Sequence, residues 1–246
     1  MILLLSGGLD SIATWRLWGC RAVNINLDTI AAGREEKAML WAAEHFDMHI
    51  RGRQLIMNTL EQVNGYVPFR NPILILIAAQ IDPIVVIGQI AEWAPDKNRR
   101  FYRRLERTVN VTGKLANFDG GLEIIAPFAH LNKGELIALY HNTFGRDETS
   151  LLLENTWSCY SNRDVHCGSC GGCVQRWNGE AHYVDLMDRQ GTGSAELTKY
   201  QTEPQFVPTP TSDKFRWVRD NGLLGVRQIM ARRKQNKSAE QRHRWA

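Results

Sequence analysis

Ser6-Gly7-Gly8-Leu9-Asp10-Ser11 follows directly on the apolar run of residues 1–5. Paired glycines let a backbone approach a ligand closely and take conformations that a side chain forbids. The amides of such a turn, with those of the first turn of a following helix, converge on one point and can hold an oxyanion. The same six residues could also be a plain strand-to-helix bend. As a cradle they need help. The helix dipole contributes about 0.3–1 kcal/mol, whereas even a millimolar ligand takes about 4 kcal/mol. The Ser6 and Ser11 hydroxyls, several amides and a Mg²⁺ ion are the candidates for the remainder. Asp10 repels a phosphate, so its expected work is to hold the magnesium or to orient the loop. The pattern is neither G-x-x-x-x-G-K-[ST] nor G-x-G-x-x-G.

A second group able to do chemistry is Cys159, Cys167, Cys170 and Cys173, spaced C-x7-C-x2-C-x2-C in "TWSCYSNRDVHCGSCGGC". Four of the five cysteines in one short span argue for a metal rather than a disulfide framework. Four thiolates can close a tetrahedral Zn²⁺ site, with Gly168, Gly171 and Gly172 permitting the tight knuckles. A structural zinc contributes on the order of 10–16 kcal/mol in small metal peptides, ample for a Gly-rich loop with little core of its own. An iron–sulfur cluster also suits four thiolates, and a redox C-x-x-C is the third reading. His166 is superfluous if all four cysteines bind. Cys20 reads as a small core residue.

The elements that must position these groups are legible in outline. Residues 1–5 read as a buried strand, followed by a helix with Ile12 and Trp15, and less strictly Leu9 and Trp18, at helical spacing. A strand is predicted over 21–28 and a helix over 33–46, with Glu35 and Glu36 in its first turn. Residues 71–81 read as a buried helix with Pro72 at its first position, and 83–89 as a central parallel strand. A very basic helix over 97–116, a strand over 122–128 and a helix over 132–144 capped by Asn132 follow. The cysteine loop occupies 155–176, with a short helix to about 189. This alternation predicts an α/β fold, a parallel sheet with helices on both faces. Ligands of such sheets bind at the carboxyl ends of the strands, where Ser6–Ser11 falls.

Composition is that of a globular protein: 246 residues, 43% hydrophobic and 23% charged. No uninterrupted apolar stretch reaches 18 residues, so no membrane span is expected. The start "MILLL" lacks a basic n-region and is too short for a secretory signal, which makes the cytoplasm the expected location. The net charge of +4 is unevenly placed: ten bases against three acids from residue 211 onward give +7, leaving −3 on residues 1–210. The chain therefore divides into a domain over 1–190, including the cysteine loop, and a Pro-containing linker with a basic tail over 191–246. Such a tail is a solvated end or a dock for nucleic acid or an acidic partner.

The SGGxDS pattern resembles the loop of the PP-loop ATP pyrophosphatases, and in combination with "TWSCY…HCGSCGGC" the chain resembles the 7-cyano-7-deazaguanine synthases. The likeness runs over residues 1–187 and includes "VPFRN" (67–71), "VVIGQIAE" with Pro95-Asp96, and "IAPFAHLNKGELIAL". It implies an adenine nucleotide alpha hydrolase-like, Rossmann-like domain with a C-terminal four-Cys zinc loop. It also implies ATP, Mg²⁺ and Zn²⁺ as cofactors, and a ligase reaction of 7-carboxy-7-deazaguanine with ammonia, through an adenylated carboxylate and an amide, to the nitrile. A homodimer is the implied assembly. Ser6, Gly7, Gly8, Leu9, Asp10 and Ser11 would hold ATP, and Asp10, Arg70 and Lys133 would be catalytic. Arg70, Asn71 and Asp96 would bind the substrate, and Cys159, Cys167, Cys170 and Cys173 the zinc. Arg70 as a cap of the sheet and Lys133 as a solvated first-turn residue are the bland readings.

The chain departs from the family pattern at "LDTIAAGREEK", which lacks the usual Tyr, Gln and His, and at residues 94–98, where a Tyr-Pro-Asp-Cys-Arg element is reduced. Three outcomes stay open for the activated deazaguanine: the nitrile, a stop at the amide, or transfer to another amine, as in phage DNA modification or antiphage relatives. A non-catalytic nucleotide- or nucleic-acid-binding relative is the alternative of another class.

Overall fold

The computed structural model describes residues 1–47, 49–54, 61, 67–91, 96–112, 121–161 and 164–189. The linker and basic tail over 191–246 and Ala94-Pro95 lie outside the described residues. Five strands, β1 (Ile2–Leu4), β2 (Arg21–Asn26), β3 (Ile50–Gln54), β4 (Ile84–Ile87) and β5 (Glu123–Ile125), form one sheet in the order β3-β2-β1-β4-β5. Every neighbouring pair is parallel. The strand order reverses between β1 and β4, and the open crevice beyond their carboxyl ends is where such sheets take ligands.

Strand alternation decides which helices pack where. Leu3, Leu5, Ala22 and Val86 face one side, packed with Ile12 and Trp15 of α1 (Leu9–Trp18), Ala38 and Met39 of α2 (Ala32–His45), and residues of α5 (Lys133–Phe144) and α6 (Arg146–Asn155). Ile2, Val23, Val85 and Ile87 face the other, against Ile75 and Ala78 of α3 (Arg70–Ala79) and Tyr102 of α4 (Arg99–Thr112). The sheet thus carries helices on both faces, as the alternation predicts. A third cluster joins Leu9, Ile137, Leu153, Tyr183 and Leu186, and so fixes α7 (Gly171–Arg189) to α5, α6 and the start of α1.

Several boundaries differ from the sequence expectation for physical reasons. β3 is not predicted, because "IRGRQ" offers one apolar residue; it is the edge strand beside β2, and edge strands need little burial. α6 is not predicted either; Gly145, at φ 90°, breaks the chain between α5 and α6, and the Thr149 hydroxyl donates to the Gly145 carbonyl at 2.8 Å. Pro72 is the third helical residue of α3 rather than the first, a position whose amide has no intrahelical acceptor in any case. α7 is not short: it runs for 19 residues and takes in Cys173. Asn132 caps α5 as expected, through a full capping box with Glu135.

Candidate functional site

Ser6 leaves the end of β1 and α1 starts three residues later, so the loop lies at the switch point. Its geometry is held from within. The Ser11 hydroxyl donates to the Ser6 and Gly8 carbonyls, to the latter at 2.9 Å, and accepts from the Ser6 amide at 3.2 Å. Gly8 is the N-cap of α1 and has no capping side chain, which leaves the first-turn amides facing outward for an anion. Close packing demands the glycines on each side. A Cβ on Gly7 would overlap the Glu35 backbone of α2. One on Gly88, just past β4, would stand 2.6 Å from the Ser11 Cα. The glycine loop is clamped between α2 and the end of β4.

Asp10 points to the buried Lys133. Lys133 Nζ donates to both Asp10 carboxylate oxygens at 2.7 Å. Lys133 is 8% exposed, which excludes the reading of a solvated first-turn residue. Its stem is pressed against α7, since a Cβ on Gly179 would lie 2.7 Å from Lys133 Cβ and Cδ. The ammonium is aimed by packing from behind and by the carboxylate in front.

A cavity of about 250 Å³ opens over the loop. Ser6, Gly8, Leu9, Asp10, Ser11, Arg70, Asn71 and Lys133 all line it, so residues far apart in sequence converge. Arg70 and Asn71 arrive as the first two residues of α3, behind Phe69, whose φ of 57° turns the chain sharply into that helix. Gly7 and Asp96 are not among the lining residues. Gly7 faces α2, and Asp96 holds the Asn71 amide, Nδ2 donating to Oδ2 at 2.6 Å. Asp96 therefore acts on Asn71 rather than on the cavity. Lys97 and Glu35 line the cavity as well, and burial pushes the Glu35 carboxyl above the usual carboxylate range against the pull of Arg70.

The four cysteines come together beside this cavity, their Sγ atoms all within 4.8 Å of one another. Cys167–Cys173 and Cys159–Cys170 are separated by 4.0 and 3.9 Å. Four thiolates at about 2.3 Å from a tetrahedral zinc stand about 3.8 Å apart, so the donor set fits that ion. Backbone amides of Ser161 and Cys167 point at Cys159 Sγ, and that of Cys170 at Cys167 Sγ, as a thiolate requires. Burial pushes the Cys167 thiol up, but the amides of Ser169 and Cys170 outweigh it and bring it down to about 6. Cys20 stands apart, half-buried against the core, with its thiol pushed up to about 11 by burial.

The cysteine loop and the glycine loop touch. Trp157 donates its amide to the Gly7 carbonyl at 2.8 Å. Its indole Nε1 donates to the Cys159 carbonyl at 2.7 Å, and its ring stacks on His166 at 4.3 Å. Arg34, ion-paired with Asp164 at 2.7 Å, lies over the same ring. Trp157, Ser158 and Tyr160 thereby form a wall of the cavity.

The sequence model of the family described as queuosine biosynthesis protein QueC matches residues 36–184, more than half of the chain. The chain belongs to that family. It is 35% identical over 126 residues to the 7-cyano-7-deazaguanine synthase of Campylobacter hominis, covering 47% of this chain and 52% of that protein. It is 34% identical over 134 residues to the synthase of the same name from Campylobacter concisus, with 50% and 57% covered. For that of Aliarcobacter butzleri the identity is 28% over 212 residues, with 72% and 89% covered. These alignments span about half the length of the first two relatives and most of the third. Among the described residues of this QueC-family chain no helix is long and apolar enough to cross a membrane.

Two residues of the cavity wall escape sequence reasoning. Glu35 reads as a favourable first-turn acid, and only the tertiary fold puts it at the cavity. Trp157 reads as a neighbour of a metal ligand, and its backbone bond to Gly7 leaves no trace in composition or spacing.

Proposed function

We propose that this chain is an ATP-dependent ligase that converts 7-carboxy-7-deazaguanine and ammonia into 7-cyano-7-deazaguanine. One placement carries the reading: Ser6–Ser11 stands at the switch point of the sheet and shares a cavity with Lys133, Arg70 and Asn71. Family membership and the names of the relatives support the substrate class.

The chemistry divides among these residues. A carboxylate oxygen attacks the α-phosphorus of ATP, the bond to the bridging oxygen breaks, and pyrophosphate leaves. The loop amides with the Ser6 hydroxyl hold that leaving group, Ser11 bracing the loop from within, and Lys133, aimed by Asp10, offsets the charge that builds on it. Arg70 faces the substrate carboxylate, and Asn71, held by Asp96, orients the ring. Ammonia then adds to the acyl carbon, AMP departs with the carbon–oxygen electron pair, and a proton passes to solvent to give the amide. The amide oxygen attacks a second ATP in the same way. It leaves as part of AMP while nitrogen loses two protons, and the nitrile results. Mg²⁺ would enter with the nucleotide and supply neutralising charge there, because both Asp10 oxygens accept from Lys133. Cys159, Cys167, Cys170 and Cys173 would hold Zn²⁺, which would close the loop whose residues wall the cavity.

A second product is kept for a specific reason: Glu35 lines the cavity in the 28–37 stretch that lacks the family's Tyr, Gln and His. Under that reading the adenylation is unchanged and the activated group stops at the amide or passes to another amine. The test is pyrophosphate release by zinc-loaded protein given ATP, 7-carboxy-7-deazaguanine and ammonia. Release well above background is expected, and release at background overturns the proposal. Mass spectrometry of the product separates nitrile, amide and conjugate.

A further inference from the structure

Glu35 is an acid that the reaction above does not use. Its backbone is locked against Gly7, so α2 cannot shift along the loop without a clash. It lines the cavity together with Arg70 and Lys97. The other acid close by, Glu61, is committed, its Oε2 accepting from the Ile30 amide at 2.9 Å. Among the described residues the Glu35 carboxylate has no hydrogen-bond partner. Half-buried in the cavity wall, the carboxylate keeps its oxygens open to a donor that arrives with a ligand.

The surroundings select the donor. A phosphate or another carboxylate is repelled. A divalent cation would sit beside two existing cations, Arg70 and Lys97, and is disfavoured by them. What remains is a pair of neutral N–H groups. A carboxylate accepts two parallel N–H bonds, and a 2-amino-4-oxopyrimidine edge offers two, from the ring N–H between the amino and oxo carbons and from the 2-amino group. An adenine edge offers one donor beside an acceptor and cannot match both oxygens. We infer that Glu35 reads the amino-pyrimidone edge of a guanine-like base in this cavity, and so selects the acceptor substrate rather than the nucleotide. The inference rests on the proposed reaction for its ligand.

Calorimetry with zinc-loaded full-length protein tests it. The probes are 7-carboxy-7-deazaguanine, its analogue lacking the 2-amino group, ATP and GTP. Wild type is expected to bind the full substrate about 10- to 100-fold more tightly than the desamino analogue, the range of a charge-assisted pair. Glu35→Gln, which keeps the shape, should lose most of that preference while binding ATP as wild type does. Glu35→Asp, which keeps the carboxylate, should retain part of the preference. Equal loss for substrate and analogue in Glu35→Gln overturns the inference, as does a preference that survives the change. A GTP affinity that follows Glu35 would also overturn it, by moving the edge to the nucleotide. Failure of wild type to bind 7-carboxy-7-deazaguanine at all would overturn both the inference and the proposed reaction. Binding without discrimination overturns the inference alone.

Discussion

The amide of Trp157 donates to the carbonyl of Gly7 at 2.8 Å, joining the chain two residues before Cys159 to the glycine loop. Around that bond both partners are immobilised. Gly7 has the Glu35 backbone against it, and Trp157 is clasped by His166, Arg34 and the Cys159 carbonyl. Gly172, at the start of α7, packs so closely on the Ser158 carbonyl that no side chain fits. The cysteine loop, through Trp157, Ser158, Tyr160 and Gly172, is therefore part of the cavity wall.

It follows that removing the metal should loosen the anion site as well as the cysteine loop. Loss of one such backbone bond weakens binding about 3- to 10-fold. Chelated protein should bind pyrophosphate more weakly by at least that factor and regain affinity on readdition of zinc. Titration calorimetry before and after chelation measures it. Unchanged pyrophosphate affinity in metal-free, folded protein would show that the two loops are energetically separate.

Lys133 and Asp10 form the second relationship that can be broken at a distance. Gly179→Ala touches neither charged group, yet its Cβ would meet Lys133 Cβ and Cδ at 2.7 Å. These are inner atoms of the stem, so the ammonium must move to make room. Overpacking of this kind costs about 1–3 kcal/mol. The expected result is a lowered thermal midpoint together with a fall in pyrophosphate release of at least about 10-fold, since a displaced charge no longer meets its target. Lys133→Ala should lose more activity. A Gly179→Ala protein with wild-type turnover would contradict the assigned role of Lys133.

Gly88→Ala tests the clamp on the other side. The added Cβ would face Ser11 Cα at 2.6 Å, Ser11 N at 2.9 Å and the Asp10 carbonyl at 3.0 Å, all backbone atoms. Nothing there can swing aside, so the N-terminus of α1 must shift. Anion binding should fall along with stability, and the same calorimetric titration with pyrophosphate reads it out. Binding at wild-type strength would mean that the loop tolerates a shift of α1.

Much of this arrangement is legible in the chain because the decisive signals are local. Ser6–Ser11, the four cysteines and Asn132 announce themselves by type and spacing, and β4 by its β-branched run. What stays hidden depends on tertiary packing. β3 carries arginines where a strand would show alternating apolar residues, since an edge position demands little. Lys133 looks like any first-turn lysine until α7 covers it. Asp96 falls in a stretch that resembles the family pattern, yet it spends its carboxylate on Asn71. Glu35 becomes visible as a cavity residue only when α2 docks on Gly7.

Glu35 also gives the protein a pH signature that can be worked out by sign. Burial raises its carboxyl above the ordinary range, and the charge of Glu61 adds to this, while Arg70 and Lys97 oppose it. The folded state therefore holds this proton more firmly than the unfolded chain. Below the ordinary carboxylate range both states are protonated and the group is neutral in effect. As pH rises through that range the unfolded chain releases its proton first, so stability falls, and it stops falling once the folded group has ionised too. Glu35→Gln removes the titration. Its thermal midpoint should match wild type most closely in acid and exceed it by a widening margin toward neutral pH, then by a constant one. Thermal melts of both zinc-loaded proteins between pH 5 and 8 decide it. A margin that shrinks with rising pH would mean that Glu35 is better stabilised as a carboxylate in the folded protein than in water, and that its burial is already compensated.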